Sequence, residues 1–152
     1  KNSLLTKKDR QKNIKNNFTK TINKLLEKNH DIIFIYPMPE VGIDVPNVLI
    51  NNFKFNRYKE LLSKKKIFST SYQIYKERTK SSFKLLDSIK SDKIYRVYPH
   101  KLFCDTVLKD RCVTNDDNNI YYRDDDHPSL KAAEMINELI KIEIKKIDLK
   151  SH

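Results

Sequence analysis

Glycine is almost missing from this chain: Gly42 is the only one in 152 residues. No glycine-rich loop that cradles phosphate with its own backbone can be built, which excludes the nucleotide-binding readings that depend on one. Tryptophan is absent and cysteine occurs twice, at Cys104 and Cys112. A Cys-x7-Cys pair without a third or fourth soft ligand nearby falls short of the four ligands a structural zinc site takes. A disulfide across that short loop reads better, and on the chain-entropy view it would stabilise the fold by roughly 2–3 kcal/mol; two unrelated buried thiols are the alternative. The disulfide would imply an oxidising compartment. No apolar run approaches the roughly 18 residues that cross a bilayer, and no signal-peptide pattern opens the chain. Its first residue is Lys rather than Met, so we expect a piece excised or processed from something longer.

What the chain has in excess is positive charge, with 31 Lys and Arg against 20 Asp and Glu and a formal net charge of +11. Such a balance ordinarily raises nucleic acid or an anionic surface as a partner. Here the lysines are spread over nearly every polar segment among abundant Asn and Ile, and the aromatics fall at core-periodic positions. We read the charge as composition bias, with a weak basic patch over residues 1–24, and expect no nucleic-acid partner. Apolar residues make up 38%, enough for one domain, spanning 1–152, with a modest core.

Residues 1–10 are polar and are expected to fray. From there Ile14, Phe18, Ile22, Leu25 and Leu26 recur at helical spacing and predict a helix over 11–28, ended by Asn29 and His30. Residues 31–36 form a continuous β-branched and aromatic run, which predicts a strand buried on both faces. The loop 37–46 carries Pro37, Pro39, Gly42 and Pro46, and it stands where open parallel sheets place ligand sites, after a strand's C-terminal end; an ordinary connector would have the same composition. Little is determined over 47–68 beyond a short helix near Tyr58 to Ser63 and a solvated Lys64-Lys65-Lys66 turn. Thr70 and Gln73 form a capping-box pattern that opens a helix whose face is Tyr72, Tyr75, Thr79, Phe83, Leu86 and Ile89. A second strand follows over 94–99, and strand, helix and strand in that order predict a right-handed parallel crossover. His100, just past it, reads as structural or as a substrate contact. His30 is expected at the surface without a role.

Ionisable groups of catalytic type concentrate in Tyr122-Arg123-Asp124-Asp125-Asp126-His127-Pro128-Ser129, between the extended residues 120–122 and a helix predicted over 129–147. Asp124 lies three residues before His127, near enough in a short loop to accept from one imidazole N–H and leave the other nitrogen free to take a proton. That is the base half of a nucleophilic catalyst. The bland alternative is a solvated acidic cap, since negative charge at a helix start is favoured by roughly 0.3–1 kcal/mol per group. Ser129 is placed to cap the helix.

Three pieces in order, residues 33–42 (Ile-Phe-Ile-Tyr-Pro-Met-Pro-Glu-Val-Gly), the Leu102-Phe103-Cys104-Asp105 to Cys112 pair, and residues 122–129, resemble the C-terminal half of an SGNH hydrolase domain. The likeness is greatest to the version fused behind acyltransferase-3 membrane domains in bacteria. The fold this implies is α/β, a partial flavodoxin-like three-layer sandwich with a parallel sheet whose N-terminal strands are missing. The resemblance also implies that His127 is general base and Asp124 its orienting carboxylate in a Ser-His-Asp triad. It makes Cys104–Cys112 a disulfide beside the site, in the periplasm or on the outer face of the inner membrane. The implied partners are the missing N-terminal half, an acyltransferase-3 membrane domain and an acylated cell-envelope polysaccharide; no cofactor or metal is implied. Pro128 stands where the family usually has Leu and Ala132 where it usually has Gly, which bears on the packing of the helix start. The family's Gly-Asp-Ser nucleophile block and its Gly and Asn oxyanion donors have no counterpart here, so the chain is expected to be inactive alone. A non-catalytic α/β interaction module or remnant and a basic nucleic-acid-binding protein are the competing readings.

Overall fold

A computed structural model describes residues 6–54 and 67–150, the side chains of 52–54 excepted. Helix α1 runs Lys7–Glu27. It begins four residues before the expected start at residue 11 because Thr6 and Asp9 form a capping box: the Thr6 hydroxyl accepts from the Asp9 N–H, and the Asp9 carboxylate accepts from the Thr6 N–H at 3.1 Å. Residues 6–10 are thus ordered by their cap and do not fray as expected, while residues 1–5 lie outside the described ones. Asn29 ends the helix in the left-handed region at φ 66°, a conformation Asn tolerates at a helix C-terminus.

Strand β1 (Ile32–Ile35) pairs in parallel with β3 (Ile94–Val97), Ile32 opposite Ile94 and Ile35 opposite Val97. Side chains alternate along a strand, so Ile32, Phe34 and Tyr36 share one face with Ile94. On that face lie α1 and the helix α3 (Tyr72–Asp87), which bring Phe18, Ile22, Leu26, Phe83 and Leu86 into one buried cluster with them. Phe18 meets Phe34 at 5.8 Å between ring centroids and Phe83 meets Tyr36 at 4.7 Å. The Tyr36 hydroxyl donates to Asp87 at 2.5 Å, tying strand to helix. On the opposite face α4 (Leu130–Lys150) packs on β3, with the Lys150 ammonium 5.0 Å over the Tyr95 ring. The result is an α/β protein of three layers around a parallel two-strand sheet, consistent with the partial flavodoxin-like fold. One expectation fails: β1 is not covered on both faces, since Ile35 is 50% exposed. α4 covers the β3 half of that face, and β1 lies at the sheet's edge among the described residues.

Two elements were not expected. Helix α2 (Val45–Lys54) starts where Asp44 accepts from the Asn47 N–H at 3.0 Å, with Pro46 in its first turn, where a missing N–H costs nothing. A second sheet pairs β2 (Ser69–Ser71) antiparallel to β4 (Arg111–Val113). Thr70 is therefore a strand residue opposite Cys112, and the cap of α3 is Ser71, which accepts from the Ile74 N–H. The face expected for α3 holds, with Tyr75 buried and Tyr72, Thr79, Phe83 and Leu86 partly so. The short helix expected near Tyr58 to Ser63 and the Lys64-Lys65-Lys66 turn lie outside the described residues.

Cys104 and Cys112 are joined by a disulfide, Sγ–Sγ 2.00 Å. It packs with Tyr75 and is flanked by Tyr72 and Phe83. A separate cluster of Val45, Phe103, Val113, Tyr121, Tyr122 and Ala132 lies beneath the start of α4. Ala132 is fully buried there. Overpacking a filled core costs about 1–3 kcal/mol; Ala132→Leu is therefore expected to lower the unfolding free energy by that amount, read as a lower urea midpoint at an unchanged slope, and an unaltered midpoint would show that the helix start is not close-packed.

Candidate active site

The chain from Ile120 to Ser129 is pinned at its base by backbone pairing. Tyr121 N–H donates to the Thr114 carbonyl at 2.9 Å and Ser129 N–H to the Tyr121 carbonyl at 2.9 Å, while Tyr122 and Pro128 form an isolated antiparallel bridge. Ser129 then caps α4: its hydroxyl donates to the Ile120 carbonyl at 2.6 Å and accepts from the Ala132 N–H at 3.3 Å. Only residues 123–127 are left to form the loop, closed by Arg123 N–H donating to the His127 carbonyl at 2.9 Å.

Within that loop the Asp124 carboxylate accepts from the N–H of His127 at 2.8 Å and from the N–H of Asp126 at 3.1 Å, an Asx-type turn. The same carboxylate meets the His127 ring, Nδ1 lying 2.9 Å from Oδ2 and 3.1 Å from Oδ1. Carboxylates accept here, so Nδ1 carries a proton, and in the neutral ring Nε2 then presents its lone pair. The His127 side chain is 69% exposed and that of Asp124 35%. The sequence singled out these two residues and the structure brings them together. A third was missed: Asp126 Oδ1 also lies 2.8 Å from Nδ1, with its side chain 53% exposed. Asp124 is the better-fixed partner, because two backbone donors hold it and Asp126 has only the ring. Asp124, Asp126 and His127 are also the one group among the described residues that could gather three ligand atoms around a cation, but that group spends Nδ1, already engaged as a donor.

The loop after β1 lies against this one. Val41 N–H donates to the Asp125 carbonyl at 2.9 Å and Val45 N–H to the Asp124 carbonyl at 3.4 Å. Two buried phenols hold the same segment from beneath, Tyr75 donating to the Pro37 carbonyl at 2.6 Å and Tyr122 to the Pro39 carbonyl at 2.7 Å. Residues 37–46, expected as a candidate pocket wall, thus lie beside the Asp124–His127 loop. Nothing in the sequence announced the phenols, which act across 38 and 83 residues of chain.

His100 is not part of this constellation. It is 7% exposed, its ring 5.4 Å from that of Tyr75 and 5.5 Å from that of Phe83, with Nδ1 unpartnered among the described residues. Burial, then the Lys101 charge, pushes its pKa below the ordinary imidazole value, so it stays neutral as a packing group. His30 is exposed, as expected.

Comparison with known proteins gives one positive finding: a family described as "SGNH domain (fused to AT3 domains)" matches residues 2–141. No curated protein and no solved structure matches the chain.

The Asp124 carboxyl is held at about 2 against an ordinary 3.8, first by the His127 N–H, then by the Asp126 N–H, with a smaller contribution from the His127 ring. A folded value below the unfolded one means that the loop's stabilisation is complete above the ordinary carboxylate range and is lost as pH falls through about 2. Carbon-detected NMR of the Asp124 carboxyl should therefore show a midpoint near 2, and a midpoint at the ordinary value would mean that neither N–H is aimed at it.

Proposed function

This chain belongs to the family of SGNH domains fused to AT3 domains, and on that premise we propose that it supplies the base half of a Ser-His-Asp triad in an esterase or O-acyltransferase acting on acyl groups of cell-envelope polysaccharide. The observation that carries the reading is the His127 ring, fixed through Nδ1 by Asp124, with no partner at Nε2 among the described residues. In the proposed reaction a serine hydroxyl outside this chain attacks the acyl carbonyl while Nε2 takes its proton. Asp124 stabilises the imidazolium, which then returns the proton to the departing alkoxide. A second nucleophile, water in a hydrolase or a sugar hydroxyl in a transferase, releases the acyl group by the same steps in reverse. The single glycine, Gly42, stands in the loop beside Asp125 and not in a Gly-Asp-Ser block, so nucleophile and oxyanion donors would come from the N-terminal half of the domain. The natural seat for that half is the edge of β1, unpaired among the described residues and carrying the half-exposed Ile35.

No helix among the described residues is long and apolar enough to cross a membrane; in this reading the fused AT3 domain provides the membrane attachment. The Cys104–Cys112 disulfide favours the periplasmic or outer face, where such bonds persist.

In the complete fused protein, His127→Ala and Asp124→Asn are expected to lower acyl-ester turnover by roughly 10³–10⁴-fold. Asp126→Asn should cost less than about tenfold, because Asp124 keeps the imidazole aligned. Steady-state hydrolysis of p-nitrophenyl acetate measures all three. Turnover by His127→Ala equal to that of the parent would favour the non-catalytic module, with Asp124 and His127 reduced to a helix cap. The chain by itself should hydrolyse the same ester no faster than its own His127→Ala variant, since an imidazole with no hydroxyl to activate lacks most of the site's stabilisation.

A further inference from the structure

Resting on His127 as the base, we propose that the phenols of Tyr122 and Tyr75 are positioning groups for the reaction: they suspend the Pro37–Val41 loop, and that loop sets where Asp124 and His127 stand. Tyr122 is 1% exposed and Tyr75 4%. Each spends its hydroxyl on a carbonyl of this one loop, Pro39 for Tyr122 at 2.7 Å and Pro37 for Tyr75 at 2.6 Å. Prolines have no N–H, so the segment has few donors of its own with which to fix itself. It has no strand partner among the described residues either, and its place is set by what its carbonyls receive. From there the contact passes outward through Val41 N–H to the Asp125 carbonyl and Val45 N–H to the Asp124 carbonyl. Asp125 is the residue between the two carboxylates that meet Nδ1, so a displaced Val41 moves both of them.

Tyr122 acts from both ends of this path. Its backbone bridges Pro128 and so opens and closes the catalytic loop, while its phenol fixes the height of the loop alongside. Burial raises both phenols above their ordinary pKa, so each remains a neutral donor wherever the imidazole is unprotonated. The rings are packed independently of the hydroxyls: Tyr122 lies 6.5 Å from Phe103 and Tyr75 6.2 Å from Phe83. Replacement by Phe therefore removes the suspension and leaves the packing. A merely structural hydroxyl would affect stability alone. A positioning one also affects the reaction, because small displacements of a catalytic group cost rate out of proportion to their size.

The test uses the complete fused protein with p-nitrophenyl acetate, comparing Tyr122→Phe and Tyr75→Phe with His127→Ala. Tyr122→Phe is expected to lower kcat by about tenfold or more with KM changed less than about twofold. In the isolated chain, ¹⁵N spectra of the His127 ring should show a reduced share of the Nδ1–H tautomer in the same variant. A Tyr122→Phe protein that unfolds passes the decision to Tyr75→Phe under the same criteria. If His127→Ala abolishes turnover while both Phe variants keep kcat within about twofold and the tautomer ratio of the parent, the positioning role is wrong and the base assignment stands. If His127→Ala itself retains full turnover, the base reading fails and this proposal with it.

Discussion

One carboxylate makes the candidate site possible. Asp124 accepts from two backbone N–H groups and from an imidazole, so a single side chain both shapes the loop and aims the ring within it. A carboxylate has about four lone-pair positions, enough for three donors without conflict. The two tasks support each other: the backbone donors keep the group ionised, and an ionised group is what an imidazolium needs opposite Nδ1. They also cannot be separated at this residue, since removing the carboxylate takes away the turn together with the orientation. At Asp126 they can, because its oxygen meets the ring with no recorded backbone donor and from a more exposed position.

The loop that Asp124 shapes is held between packed regions built by different parts of the chain. The Phe103, Tyr121, Tyr122 and Ala132 cluster fixes its two ends. The neighbouring loop leaves β1, whose Phe34 and Tyr36 belong to the cluster under α1 and α3. Between them stands the third cluster, Tyr75 with the disulfide. Cys112 lies in β4, β4 pairs with β2, and β2 runs directly into the helix that carries Tyr75. The disulfide thus stiffens the ground beneath one of the two phenols without touching the reacting groups. In the proposed positioning scheme its contribution would pass through Tyr75 and the Pro37 carbonyl.

How much of this could be read beforehand follows from how far apart the partners lie in the chain. Asp124 and His127 are three residues apart, and their pairing was visible because a turn of that length leaves few alternatives. The stripes of α1 and α3 were largely visible, since Ile22 and Tyr75 are buried by the side of the helix on which they fall, but Ile14 and Leu25 of the α1 stripe stand exposed. The start of α1 was missed because a cap, not apolar contact, sets it. The Asp44 cap and Pro46 of α2 were legible signals that the loop's prolines obscured. The β2–β4 pair was not legible at all: Ser69-Thr70-Ser71 has neither alternation nor β-branched density, and it becomes a strand because Arg111 to Val113 is brought alongside. The same holds for the phenols, which looked like ordinary core aromatics until the carbonyls they serve were located.

The openness of the His127 ring is the remaining point, and under the proposed function it would follow from a triad that another part of the domain completes. In water a charge pair at this range is worth about 1 kcal/mol, and several times that where the surroundings are less polarisable. With 69% of its side chain in solvent, the imidazole gains little from its carboxylate beyond orientation. Covering the β1 edge and the mouth of the loop would exclude that water and strengthen the stabilisation of an imidazolium without moving an atom of this chain. The geometry of the Asp124–His127 pair is therefore local to the residues from Tyr122 to Ser129 and the loop beside them.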